Sequence, residues 1–105
     1  MDVRCRNIPF ATCKSTGDKA VADSPVVVKA SAGVLRGFTA YTDGANDVTV
    51  TVYDSAAAAS GTILAKVIIH GTDDSGGLMG IDVEARYGIV MTIAGTGGHA
   101  VAYYI

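Results

Sequence analysis

Asp73 and Asp74 stand side by side in a glycine-rich stretch, GTDDSGGLMG, and Asp43 and Asp47 flank a second polar turn. Carboxylates gathered in loops are the raw material of a Ca2+ site, which needs about six to eight oxygens to converge. The spacing matches no EF-hand loop and no repeat-type calcium motif. Aspartate beside glycine is also ordinary turn chemistry, so these residues read as turn formers and no metal is expected. His70 and His99 are the only histidines. Each falls at a predicted strand edge, with no Glu or His at ligand spacing on the same strand. A Ser-His-Asp triad assembles from distant positions, but the chain carries no nucleophile elbow, and no enzymatic activity or cofactor is expected. Gly95–Gly98, GTGG, lacks the Lys and Ser/Thr of a phosphate loop and leads into a strand, so it reads as a hairpin turn.

Two further sets of residues carry chemistry. Tyr41, Tyr53, Tyr87, Tyr103 and Tyr104 would form a platform for sugars or a protein partner if they shared one surface. On alternating strands they divide between faces, and sheet packing or subunit contact is the expected use. Cys5 and Cys13 are too few for a four-ligand metal site. A disulfide needs their Cα atoms within about 7 Å, which a hairpin allows and an extended strand does not. Free, partly buried thiols in a reducing compartment are the expectation.

The elements that must position these groups are β-strands. Val48, Val50 and Val52 alternate with Thr49, Thr51 and Tyr53, which sends the valines to one face and the others to the opposite face. β-Branched and aromatic residues fit such a pleated surface. Strands are predicted over residues 33–42, 47–54 and 62–70, after a short one over 26–31. Asp43-Gly44 and Asn46-Asp47 bound a tight turn that reads as a hairpin. SAAAASG, residues 55–61, is expected to form a single helical turn. Ile63, Ala65, Val67 and Ile69 alternate with Leu64, Lys66 and Ile68. Residues 71–80 read as a long loop. Ile81, Val83 and Ala85 then alternate with Asp82, Glu84 and Arg86, Gly88 marks a turn or bulge, and a final hairpin turns at Thr96-Gly97-Gly98. Residues 1–24 form an N-terminal arm, with a candidate strand over 3–14, and residues 25–105 form the domain. The expected fold is all-β: an antiparallel two-sheet sandwich, jelly-roll-like, with seven or eight strands. An Ig-like sandwich is the nearest rival, but its Cys-Trp-Cys pattern is absent.

Composition bounds the partners. The 105 residues make one domain. Only 17% are charged, while 50% are hydrophobic, with no Trp, two Phe and much Ala and Val. Small side chains build a thin core beneath an undercharged surface, and burial against other subunits relieves both. The net charge of -2 and the scattered Arg4, Arg6 and Lys14 argue against nucleic-acid binding. No apolar run reaches the ~18 residues of a membrane span, and no membrane partner is expected. The start, MDVRCRNIPFATCK, lacks a secretory h-region, so synthesis in the cytoplasm is expected.

One segment also carries a resemblance. The strand GVLRGFTAYT, the strand VTVTVYDS and the small-residue loop ending SGTILA resemble a recurrent pattern in small structural proteins of tailed bacteriophages. Gly33, Leu35, Tyr53, Asp54, Gly61 and Thr62 meet it, and Tyr87-Gly88 before IVMTIAG fits its later part. It covers about residues 25–105. The resemblance implies a β-sandwich of the virion, most simply a head decoration (cement) protein, on the capsid surface and assembled in the host cytoplasm. Its partners would be the major capsid protein and copies of itself as a homotrimer. The alternative is a carbohydrate- or receptor-binding module of a fibre or tail. The matching positions read as structural: Gly33 and Gly61 permit turns, and Asp54 is expected to bond the backbone amides that follow it.

Overall fold

The computed structural model describes residues 13–105. Among these residues nine strands run in chain order: β1 (Lys14–Ser15), β2 (Lys19–Ala20), β3 (Val26–Lys29), β4 (Gly33–Tyr41), β5 (Val48–Asp54), β6 (Thr62–Ile69), β7 (Ser75–Ala85), β8 (Ile89–Ala94) and β9 (His99–Tyr104). Among the described residues the only helical pieces are two 3-10 turns, Val21–Asp23 and Gly71–Asp73. No helix among the described residues is long and apolar enough to cross a membrane.

All pairings are antiparallel, and they make two sheets. Sheet I runs β1-β9-β4-β7, with β2 also paired to β9, and sheet II runs β3-β8-β5-β6. β1 and β2 are two halves of one edge strand. Between them Thr16 keeps the ladder going, its N–H donating to the Ala102 carbonyl at 3.0 Å while its hydroxyl accepts from the Ala102 N–H at 3.1 Å. Gly17 then kinks the chain at φ 71. Counted this way, the fold has eight strands, each sheet taking its members alternately from the two ends of the chain. That is the jelly roll, a sandwich of paired Greek keys.

The core lies between the sheets. Val48, Val50 and Val52 of β5 and Ile89 and Met91 of β8 are fully enclosed from sheet II, and Leu35, Phe38, Ala40, Ala100 and Ala102 from sheet I. The Val/Thr alternation of β5 thus orients that strand as its sequence predicts. Ile81, Val83 and Ala85 likewise turn toward the core while Asp82, Glu84 and Arg86 are exposed.

Several expectations need correction. Residues 42–47 do not close a hairpin, nor do residues 95–98, because β4 and β5, and likewise β8 and β9, belong to different sheets. Turn residues encode a reversal of the chain, and here the reversed chain crosses the sandwich instead of pairing beside its predecessor. β5–β6 is the only pairing of consecutive strands among the described residues, and its link is SAAAASG, which bends without forming a helical turn. There the Ser55 hydroxyl accepts from the Ala57 and Ala58 amides at 3.4 and 3.1 Å.

Residues 75–80 are not loop but the first half of β7, paired with β4 through Thr39↔Gly77 and Ala40↔Gly76. Within β6 a register shift between Val52 and Tyr53 leaves Leu64 unpaired, so Leu64 packs on the core and Ile63 is turned outward, 51% exposed. Gly33 does not serve a turn. It opens β4, where a Cβ would lie 2.5 Å from the Ile105 carbonyl oxygen. Cys13 is disulfide-bonded, against the expectation of free thiols; Cys5 lies outside the described residues, as does most of the candidate strand over 3–14. Disulfides persist in oxidising surroundings, virion surfaces among them.

Candidate functional site

The connections between the sheets gather the polar residues at the two ends of the sandwich. At one end the Asp43 carboxylate accepts from the Ala45 and Asn46 amides at 2.9 and 2.8 Å and from the Asn46 side chain at 2.7 Å. These bonds, the Asn46 amide first, hold its carboxyl below the usual aspartate range. Asp47 accepts from the Gly71 amide at 2.9 Å, and its second oxygen stands 3.8 Å from His70. Thr42 completes the tie, donating from its hydroxyl to the Gly71 carbonyl at 3.0 Å. Asp73 and Asp74 point to solvent. The loop carboxylates therefore serve the backbone, and among the described residues no three His, Cys, Asp or Glu side chains gather as a metal site. His99 binds Asp18 at 3.0 Å, fastening the 16–18 link to the start of β9.

At the opposite end Asp54 does more than its sequence position suggests. Its carboxylate accepts not from the amides that follow it but from Arg86, Tyr87 and Gly88, at 3.0, 2.8 and 3.4 Å. The Tyr87 and Arg86 amides are the main reason its carboxyl is held below the usual range. Asp54 thereby pins the turn between β7 and β8, a partnership over more than thirty positions that no local pattern announces. A carboxyl depressed on folding contributes stability that is fully present above its unfolded pKa of ~3.9 and is lost as pH falls through the folded value. Asp54→Ala is accordingly expected to melt below the native chain at neutral pH, with the gap closing in acid. A gap that persists below the carboxylate range would contradict this role.

Beside this turn an open groove of about 540 Å3 runs past Gly33, Val34, Glu84 and Arg86. It sets one acid beside one base and converges no further polar groups. The tyrosines do not meet either. Tyr41 is 46% exposed on the outer side of sheet I, and Tyr87 is 61% exposed beneath the Arg86 guanidinium at the far end. Tyr53 lies on the outside of sheet II, Tyr103 is buried, and Tyr104 packs on the core.

The outward faces of the two sheets differ sharply in charge. Sheet I carries Arg36, Asp82, Glu84 and His99, with Arg36 and Asp82 in direct contact as an ion pair. On sheet II the register aligns Val27, Val90, Tyr53 and Ile63 in one apolar row across all four strands. The next rows are Thr92, Thr51 and Lys66, then Ala94, Thr49 and Ile68, so Lys66 is the single outward charge of these rows. Val27, Ile63 and Ile68 are each about half exposed, at 48, 51 and 56%. The sequence gives this face away only in part, because Ile63 reaches it through the Leu64 bulge.

The fold and its surface thus define a jelly-roll sandwich with one nearly uncharged sheet face and without a convergent catalytic centre among the described residues. Comparison with known protein families, curated proteins and solved structures finds no match.

Proposed function

We propose that this chain is a structural protein of a bacteriophage virion, a head decoration (cement) protein that binds the major capsid protein and associates with copies of itself as a homotrimer. The observation that carries the reading is the outer face of sheet II, which shows one lysine in its three rows and exposes Val27, Ile63 and Ile68 around an enclosed Val90. Several half-exposed apolar side chains on one nearly uncharged face favour a surface that is covered in an assembly. A jelly roll is also an architecture common to capsid and lectin domains, and the phage-like pattern through residues 33–62 favours the former. The dispersal of the tyrosines gives the carbohydrate-binding alternative no site of its own.

Cryo-electron microscopy of the particle that contains the protein tests the reading. Density for this sandwich on the outer shell supports it, and density only at a tail or fibre tip overturns it. The N-terminal arm is the proposed contact with the shell. β1 and β2 pair with β9, so a truncation must spare them. A chain lacking residues 2–12, with Cys13→Ser, is expected to fold and to lose shell attachment in a sedimentation assay. Undiminished attachment would remove the arm from the proposal.

A further inference from the structure

We infer that β6 is an assembly edge, pairing antiparallel with β6 of a second copy about a two-fold axis at Val67. A sheet edge offers unpaired backbone N–H and C=O groups to any strand that approaches, and soluble proteins blunt such edges with charge, proline, bulges or brevity. Three of the four edges here are blunted. β1 and β2 are two-residue pieces broken at Gly17 and flanked by Lys14 and Lys19. β3 has four residues, a register shift and Lys29. β7 contains Gly76, Gly77 and Gly80, a register shift opposite β4, Asp82 at φ 48 and Glu84. β6, TILAKVII, has eight residues, neither Gly nor Pro, and one charge. Its only irregularity is at Leu64, which leaves residues 65–69 regular, and among the described residues no strand pairs with their free edge.

The occupant is a second copy because the missing partner must itself be a regular apolar strand with a free edge, and β6 is the one such strand among the described residues. Self-pairing also fixes the register. Opposed residues share a face, and Lys66 and Ile68 face outward while Ala65 and Ile69 face the core. An axis between residues would oppose inward to outward. An axis at Lys66 would oppose two ammonium groups, and one at Ala65 would run the pairing into the bulge. An axis at Val67 sits at the middle of the regular segment, opposes Lys66 to Ile68 and Ala65 to Ile69, and extends sheet II to twice its strands. The contact is isologous, so it joins copies two at a time, whether free or already in a larger ring, and it does not depend on the virion reading.

Light scattering across concentration tests it on the full chain. The native mass is expected to double as concentration rises. Ile68→Lys, at an exposed position, places its charge opposite the second copy's Lys66 twice over and should weaken doubling at least about tenfold. Ile68→Glu should retain it, because there the opposed charges attract. Val67→Cys, whose Cα atoms would be about 5 Å apart across the axis, should give a covalent dimer under mild oxidation, as Thr62→Cys should not. A native mass that never doubles overturns the inference. Ile68→Lys doubling as the native chain does, or Val67→Cys staying uncrosslinked while doubling persists, overturns it equally.

Discussion

Replacing Gly77 by alanine is expected to cost roughly 3 kcal/mol or more, enough to leave much of the protein unfolded. At this position β7 passes so close to β4 that a Cβ would lie 2.2 Å from the Phe38 carbonyl oxygen and 2.9 Å from the Thr39 Cα. Both atoms are backbone, so no side chain can swing aside. The φ of +149 adds a conformation that only glycine adopts readily. Relief requires β4 and β7 to separate, and β4 carries Leu35, Phe38 and Ala40 into the core. Gly80 is the control. Its φ is +68, but nothing lies within 4 Å of its Cβ position, so Gly80→Ala should cost only about 1 kcal/mol of backbone strain. Urea denaturation of both variants decides the matter. Equal losses, or a Gly77→Ala variant as stable as the native chain, would mean that the close approach is not a constraint.

The same position shows why part of the fold was hidden in the sequence. Strands were legible where side chains alternate, as at Val48–Val52 and Ile81–Ala85, because each apolar residue reports the face it occupies. SGGLMG has no alternation to read. Gly77 is there because the neighbouring backbone of β4 leaves no room for a side chain, and a propensity argument sees only flexibility. The apparent hairpins at 42–47 and 95–98 failed for a different reason. Gly, Asp and Asn identify where a chain reverses, but the choice between pairing and crossing depends on which strands occupy the flanks. β4 has β7 and β9 on its flanks, and β5 has β6 and β8. Apart from β6, which follows β5 directly, those partners lie far along the chain, so no local window contains the information.

The surface divides along similar lines. The turn role of Asp43 was legible because its bonds reach only to Ala45 and Asn46. That of Asp54 was misread in direction, because its partners at 86–88 become neighbours only after both sheets form. The exposed apolar residues on the outer face of sheet II were half visible. Val27 and Ile68 are exposed apolar residues on predicted strands, but Ile63 belongs to the inward set by its parity and reaches the outside because one residue, Leu64, is left over in the pairing with β5. A single bulged residue thus converts a core position into a surface one, and it is the step that connects β5–β6 register to the proposed contact face.

The core beneath that face has little margin. Phe38→Ala is expected to cost about 3–5 kcal/mol, a large share of the total stability of a domain of this size. Phe38 is fully buried, stands between Ala102 of β9 and Leu78 of β7 in its sheet, and shares the core with Ala40, Ala65, Ala85 and Ala100. Around a ring so placed, alanines have no rotamers with which to fill the vacated space, so the cavity stays open and its full cost is felt. Phe38→Leu, which keeps most of the volume, should cost only about 1–2 kcal/mol. Denaturant midpoints with unchanged slopes would establish both numbers as stability differences. If Phe38→Ala lost no more than Phe38→Leu, the alanine-lined core would have to collapse around the gap, which means sheets I and II could slide closer together than their packing implies. Because the outer row of sheet II rides on β5 and β8, such sliding would also shift the surface through which copies are proposed to meet. A rigid Phe38 layer and a fixed contact face are therefore two consequences of one packing arrangement.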